Sequence, residues 1–164
     1  MKISDIKTKM QQLDNDIAIY WKIIQTENIM SIKHTRLHDL KAVMTKLEQA
    51  NKKLLKLKLA LQCANMGYKS ITQLSANHNY GTIFELTMYN NMKVQLGYIN
   101  TINSALKRKV GKKNMKTTEI FTSQYVQNKK QEYDIQIIAL KEKLTAFNEQ
   151  DFEIDLDDNI QAAA

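Results

Sequence analysis

Few residues in this 164-residue chain have types and spacings suited to chemistry. His34 and His38 stand four apart, the spacing at which two imidazoles on one helix face can share a metal. The zinc-protease form of that pair needs Glu directly after the first His, and Thr35 is there instead. Asp39 is the one nearby acid, and it points elsewhere on such a helix, so solvated histidines at a helix start are the simpler reading. Cys63, the single cysteine, lies in a Leu-rich run near no patterned base and reads as a small core residue. It cannot form an internal disulfide, which fits a reducing, cytoplasmic setting. Gly111-Lys112-Lys113 lacks both the earlier Gly and the following Ser/Thr of a phosphate-cradling loop. Paired acids suitable for acid–base work are confined to the C-terminal tail, where mutual repulsion and solvent are the simpler account. These residues lead to the expectation of a protein that is not an enzyme, with no catalytic set, no metal and no cofactor.

Charge directs attention to binding instead. The formal net charge is +7, unevenly spread. Residues 1–148 hold all 24 Lys and Arg against 11 acids, a net +13, and six acids follow Asn148 without a single base. A basic body with an acidic tail implies an anionic partner, or a tail that folds onto a basic surface, its own or a neighbour's. The densest basic segment is KRKVGKKNMK, with Lys107, Arg108, Lys112 and Lys113 as candidate ligand contacts. A second candidate is the connection GYKSITQLSANHNYG at 67–81, fifteen residues where helix–helix connections usually take two to eight. Its Tyr68, Lys69, Asn77, His78 and Tyr80 offer stacking and hydrogen bonds. Together the two segments suit a small anionic ligand of nucleotide type, held where subunits meet. The bland alternatives are a packed surface loop and a solvated lysine loop. Only Arg36 and Arg108 are arginines, which disfavours base-specific DNA reading, although lysines suffice for nonspecific phosphate attraction.

The elements that must position these residues read as helices. There is no proline and there are four glycines, so long uninterrupted helices are permitted. No apolar run approaches a membrane span, and MKISDIKTKM lacks the apolar centre of a secretory signal. The fold class is therefore mainly all-α, a four-helix arrangement of long hairpins in one domain over 1–148, with an extended acidic tail over 149–164. The first helix covers about 5–28, starting after Ser4, with Ile6, Met10, Leu13, Ile17, Tyr20, Trp21 and Ile24 on one face. The second covers 35–66, with Leu37, Leu40, Met44, Leu47, Leu54, Leu57, Leu61 and Ala64 as a near-coiled-coil seam and Gly67 as a left-handed stop. A rod that long exceeds what one small domain needs for itself, so a homo-oligomer is expected. The third covers 83–109, opened by a Thr82/Glu85 capping box, and the fourth covers 124–148, capped by Ser123. Thr118 to Thr122 reads as a short strand, and Phe152, Ile154 and Leu156 alternate with acids at strand period, so the two could pair, even between subunits.

The second half carries a resemblance. LALQCAN closes a helix, YGTIFEL opens the next, TTEIFTSQYV supplies the strand, and ALKEKLTAFN ends the last helix before the tail. This layout, over roughly residues 5–156, resembles a family of small self-assembling helical proteins of bacteria and phages often labelled septicolysin-like. Asn65, Thr82, Glu85, Glu119, Ile120 and Asn148 stand where that pattern has similar residues. Asn90-Asn91 replaces its usual Arg-Asp pair and Glu149 its Trp. The resemblance implies helical hairpins assembled into a closed oligomer. Lys, Asn and Ile, all with AT-rich codons, supply 54 residues and suggest an AT-rich bacterial or phage genome. The combined expectation is a cytoplasmic, homo-oligomeric binding protein, in a phage one that sequesters a nucleotide defence signal of its host. A nonspecific nucleic-acid-binding accessory protein and a structural assembly protein are the alternatives, and no membrane partner is expected.

Overall fold

The computed structural model of the chain describes residues 1–112 and 116–150. Lys113 and the acidic tail segment read as a strand, with Phe152, Ile154 and Leu156, lie outside the described residues. Among the described residues the order is α1 (Ile3–Glu27), β1 (Ile29–Ser31), α2 (Leu40–Met66), α3 (Ile71–Asn77), α4 (Tyr80–Gly111), β2 (Thr117–Glu119) and α5 (Ser123–Asn148). The all-α reading holds, with one two-stranded sheet added.

Two antiparallel hairpins, α1–α2 and α4–α5, make the body. The periodic apolar residues explain their packing: Met92, Leu96 and Ile99 recur at helical spacing on α4 and are buried. They meet Trp21 and Ile24 of α1, Leu40, Val43, Met44 and Leu47 of α2, and Phe121, Val126 and Tyr133 at the start of the last hairpin arm. This core sits towards the end that carries the sheet. A smaller cluster, Leu59, Cys63 and Leu74, closes the other end, so Cys63 is the buried core residue expected of it. Across the α4–α5 seam Lys93 is ion-paired to Asp134, which fixes the register of that hairpin.

Helix boundaries follow the caps. Gly67 ends α2 in the left-handed region at φ 75°, where a Cβ would be strained, and the Tyr68 N–H returns to the Cys63 carbonyl at 2.9 Å. The start of α2 differs from the reading at Thr35. Asp39 is the cap, accepting from Lys41 N at 3.1 Å and Ala42 N at 3.2 Å, so the chain from 32 to 39 is not helical. Leu37 consequently leaves the buried seam and is 86% exposed. Ala64 is exposed as well, while Leu40, Met44, Leu47 and Leu54 of the expected seam are buried, joined by Val43, Ala50, Leu59 and Cys63, with Leu57 and Leu61 half-buried. Thr82 is not a cap either: α4 begins at Tyr80, two residues earlier. Thr122 rather than Ser123 caps α5, accepting from Tyr125 N at 3.1 Å. The long connection at 67–81, read as a loop, contains the short helix α3, capped by Ser70 and anchored by buried Leu74.

The β2 strand matches the short strand expected near Thr118, ending at Glu119 rather than Thr122. Its partner in the chain is β1, antiparallel, with Ile29 opposite Glu119, Met30 opposite Thr118 and Ser31 opposite Thr117.

Candidate anion-binding end of the bundle

The sheet brings the α1–α2 corner to the α4–α5 corner, and a polar network locks the two together. Asn28 is 0% exposed. Its side chain accepts from Phe121 N at 2.6 Å and donates to Phe121 O at 2.9 Å. Buried Asn103 adds a longer bond to the same carbonyl at 3.5 Å. Arg36 spans the corner: Nε donates to Glu27 O at 2.8 Å, Nη2 to Asn28 O at 2.8 Å and Thr118 O at 2.7 Å, and Nη1 to Thr118 Oγ1 at 2.9 Å. A rigid five-donor guanidinium suits this carbonyl-rich corner, so one of the two arginines is committed to structure.

Glu27 is 7% exposed and holds the chain that follows Arg36. Its carboxylate accepts from Leu37 N at 2.8 Å and His38 N at 3.1 Å, and pairs with His38 Nδ1. His38 is therefore an anchor for this turn, and His34 and His38 do not share a helix face as a metal pair would need. Among the described residues no three His, Cys, Asp or Glu side chains gather in a metal-binding group. Burial pushes the Glu27 carboxyl up, but the His38 side-chain and backbone hydrogen bonds, the His38 charge and the Leu37 N–H outweigh it, leaving it below the usual value. A lowered folded-state value stabilises above the unfolded carboxyl range and is lost as pH falls through the folded value. Glu27→Gln is expected to lower stability by about 2 kcal/mol at pH 7, with the difference from wild type shrinking below about pH 4. Urea midpoints of both proteins from pH 7 to pH 3 check this.

Outside this lock the same end is cationic. Lys107, Arg108 and Lys109 occupy the last turns of α4, Lys112 follows, and Lys116 precedes β2. The Ile32 N–H donates to the Lys116 carbonyl at 3.1 Å, which sets Lys33 beside this group. Some of this charge faces the negative end of the α4 dipole. Lys107 Nζ lies 3.0 Å from Glu119 Oε2, though without hydrogen-bonding geometry. Arg108 Nε donates to Ser104 O at 3.4 Å, and Arg108, Lys109, Lys112 and Lys116 are all exposed. Among the described residues these four have no carboxylate partner. Such a cluster raises the local potential and attracts phosphate.

The other candidate residues lie elsewhere. Tyr68 Oη and His78 Nε2 are 2.9 Å apart, His78 stacks towards Tyr80 with centroids 5.6 Å apart, and Tyr80 towards Phe84 at 6.0 Å. This aromatic ladder covers Leu59, Cys63 and Leu74, so its rings serve as a small core with polar edges. Lys69 and Asn77 are exposed beside it, Lys69 N donating to Gln73 Oε1 at 3.0 Å and Asn77 Nδ2 to Gln73 O at 2.9 Å. Tyr80 begins α4 and Arg108 lies near its end, about 40 Å away at ~1.5 Å per residue. One copy of the chain therefore does not join the two connections in a pocket.

A further polar cluster escaped the sequence. Glu48 of α2 accepts from Tyr133 Oη at 3.0 Å and pairs with Lys129 Nζ at 2.7 Å, both on α5, at a cavity of about 490 Å³. Burial first, then Glu48, pushes the Tyr133 hydroxyl well above its ordinary value, so it stays a donor. Burial pulls the Lys129 ammonium down, but its bonds to Glu48 leave it above its ordinary value and charged. These groups satisfy one another and tie the hairpins together. Eighty-five residues separate Glu48 from Tyr133, and no local pattern announces the pair. No helix among the described residues is long and apolar enough to cross a membrane. Comparison with protein-family models, with curated proteins and with solved structures found no match.

Proposed function

We propose that this chain is a non-enzymatic, self-associating binding protein whose cationic end holds a phosphate-bearing ligand, first of all a small nucleotide. The observation that carries this reading is the set of exposed cations Arg108, Lys109, Lys112 and Lys116, which have no carboxylate partner among the described residues, around a hydrogen-bonded corner. A rigid corner lowers the ordering cost of presenting them. In a phage-encoded chain the consequence is withdrawal of a host nucleotide signal.

Self-association is supported by apolar side chains left on the α4–α5 hairpin: Ile135 is 66% exposed, Ile138 58% and Val94 54%. The septicolysin-like layout supports the same point. Assembly also offers the one way for the Tyr68–His78 end of a copy to approach a ligand on another copy's cationic end.

Nucleic-acid backbone binding is the second reading, favoured by cations that lie along an open helix end rather than inside a cavity. Calorimetry against linear and cyclic nucleotides and a short single-stranded oligonucleotide separates the readings. Light scattering at micromolar concentration is expected to give a mass above 19 kDa. A monomer at every concentration contradicts the assembly, and silence across the panel contradicts the ligand.

A further inference from the structure

The hydrophobic core is not continuous along the bundle. Trp21 and Met92 belong to the cluster at the sheet end, and Leu59, Cys63 and Leu74 to the one at the other end. Between α1, α2 and α4 lies a cleft of about 350 Å³ walled by both clusters. Trp21, Met88 and Met92 bring the first cluster to its wall, and Leu55 and Phe84 the second. Interiors normally pack without such gaps, and this size falls in the ~300–1,000 Å³ range of small-ligand pockets.

The lining chemistry selects the occupant. An indole, a phenyl ring and two thioethers suit a flat aromatic body, through stacking and sulfur–aromatic contacts. Three amides, Asn51, Asn91 and Gln95, add hydrogen-bonding capacity that the fold leaves partly unused. Asn51 Nδ2 donates to Leu47 O at 3.0 Å, which leaves its Oδ1 as an acceptor. Gln95 Oε1 accepts from Gln25 Nε2 at 3.3 Å, which leaves its own Nε2 as a donor. The exposed Asn91 amide takes part in no hydrogen bond among the described residues. The charged lining residues are one acid, Asp14, and one base, Lys58, so the cleft favours a ligand without net charge. Side-chain amides match the edge of a nucleobase, where a ring acceptor and an exocyclic amine stand side by side. We propose that this cleft binds an uncharged nucleoside, a purine first, its ring on the apolar wall and its edge towards the amides. The proposal does not rest on the anion-binding reading, because none of the cations at the end of α4 lines the cleft and a nucleoside carries no phosphate.

Calorimetry of the full chain with adenosine tests it. A Kd below about 1 mM is expected, unmoved by salt because the ligand is uncharged. Trp21, the single tryptophan and 7% exposed, should change its emission along the same binding curve. Ala18→Phe places a ring at the mouth from an exposed position, so helicity should be kept and adenosine affinity should fall at least tenfold. Asn91→Leu, also at an exposed position, should lower adenosine affinity severalfold and leave the binding of toluene unchanged. Arg108→Glu with Lys112→Glu should leave adenosine affinity as it is. No heat and no emission change with adenosine, inosine or uridine at millimolar concentration would overturn the proposal. Adenosine affinity insensitive to both Ala18→Phe and Asn91→Leu, or abolished by the Arg108 and Lys112 reversals, would overturn it too. Toluene binding as tightly as adenosine would make the cleft a plain apolar void and overturn the nucleoside assignment.

Discussion

Asn28→Ala is expected to destabilise the fold by about 3 kcal/mol, lowering Tm by roughly 6–12 °C. The side chain is fully buried and exchanges two hydrogen bonds with the Phe121 backbone, at 2.6 and 2.9 Å. Alanine leaves the Phe121 N–H without its partner in a place water does not reach, because Phe121 is itself 0% exposed. A buried orphan donor costs about 1–3 kcal/mol on its own, and the space left by the amide adds to that. Asn28→Asp should be worse at neutral pH, since a carboxylate oxygen then faces the Phe121 carbonyl. Acidification that protonates this carboxyl restores a donor, so the gap between Asp and Asn should narrow at low pH. Thermal melts of the three proteins at pH 7 and pH 4 test both statements, and a loss under about 1 kcal/mol for Ala would show that the corner is not a lock.

The second large effect concerns binding. Arg108→Glu with Lys112→Glu is expected to reduce affinity for a phosphate-bearing ligand by on the order of 100-fold or more at ~50 mM salt. Each substitution removes an attractive charge and adds a repulsive one. Both side chains are exposed, and Arg108 has one weak local bond, to Ser104 O at 3.4 Å. Reversing two charges at the negative end of the α4 dipole should cost about 1–2 kcal/mol of stability, leaving the chain folded at 25 °C. Loss of binding with unchanged helicity assigns the effect to the surface. Unchanged affinity would place the ligand elsewhere.

The legible parts of the fold were those written in local periodicity. Leu96 and Ile99 sit in a long apolar stripe, and Gly67 is the natural left-handed stop, so the bodies of the long helices could be read. The corner could not. Ile29–Ser31 is three residues long, too short for an alternation, and became a strand because β2 lies beside it. Thr35 and Asp39 are both plausible caps, and the Glu27 carboxylate decides between them by holding Leu37 N and His38 N outside the helix. The cluster of Lys107, Arg108 and Lys112 was visible as a run of charge. Its relation to Tyr68 and His78 was not, because the length of α4, from Tyr80 to Gly111, sets the distance between them. Asn28 and Phe121 are 93 positions apart, and nothing local to either marks the contact.

The most direct test of the anion-binding account is the salt dependence of wild-type affinity for a nucleotide and for a short oligonucleotide, measured by calorimetry between ~50 and ~200 mM salt. Phosphate held by exposed lysine and arginine releases counterions, so affinity should fall steadily as salt rises, more steeply for the oligonucleotide because it engages more charges. Absence of binding to either at ~50 mM, or an affinity unmoved by salt, would contradict the account.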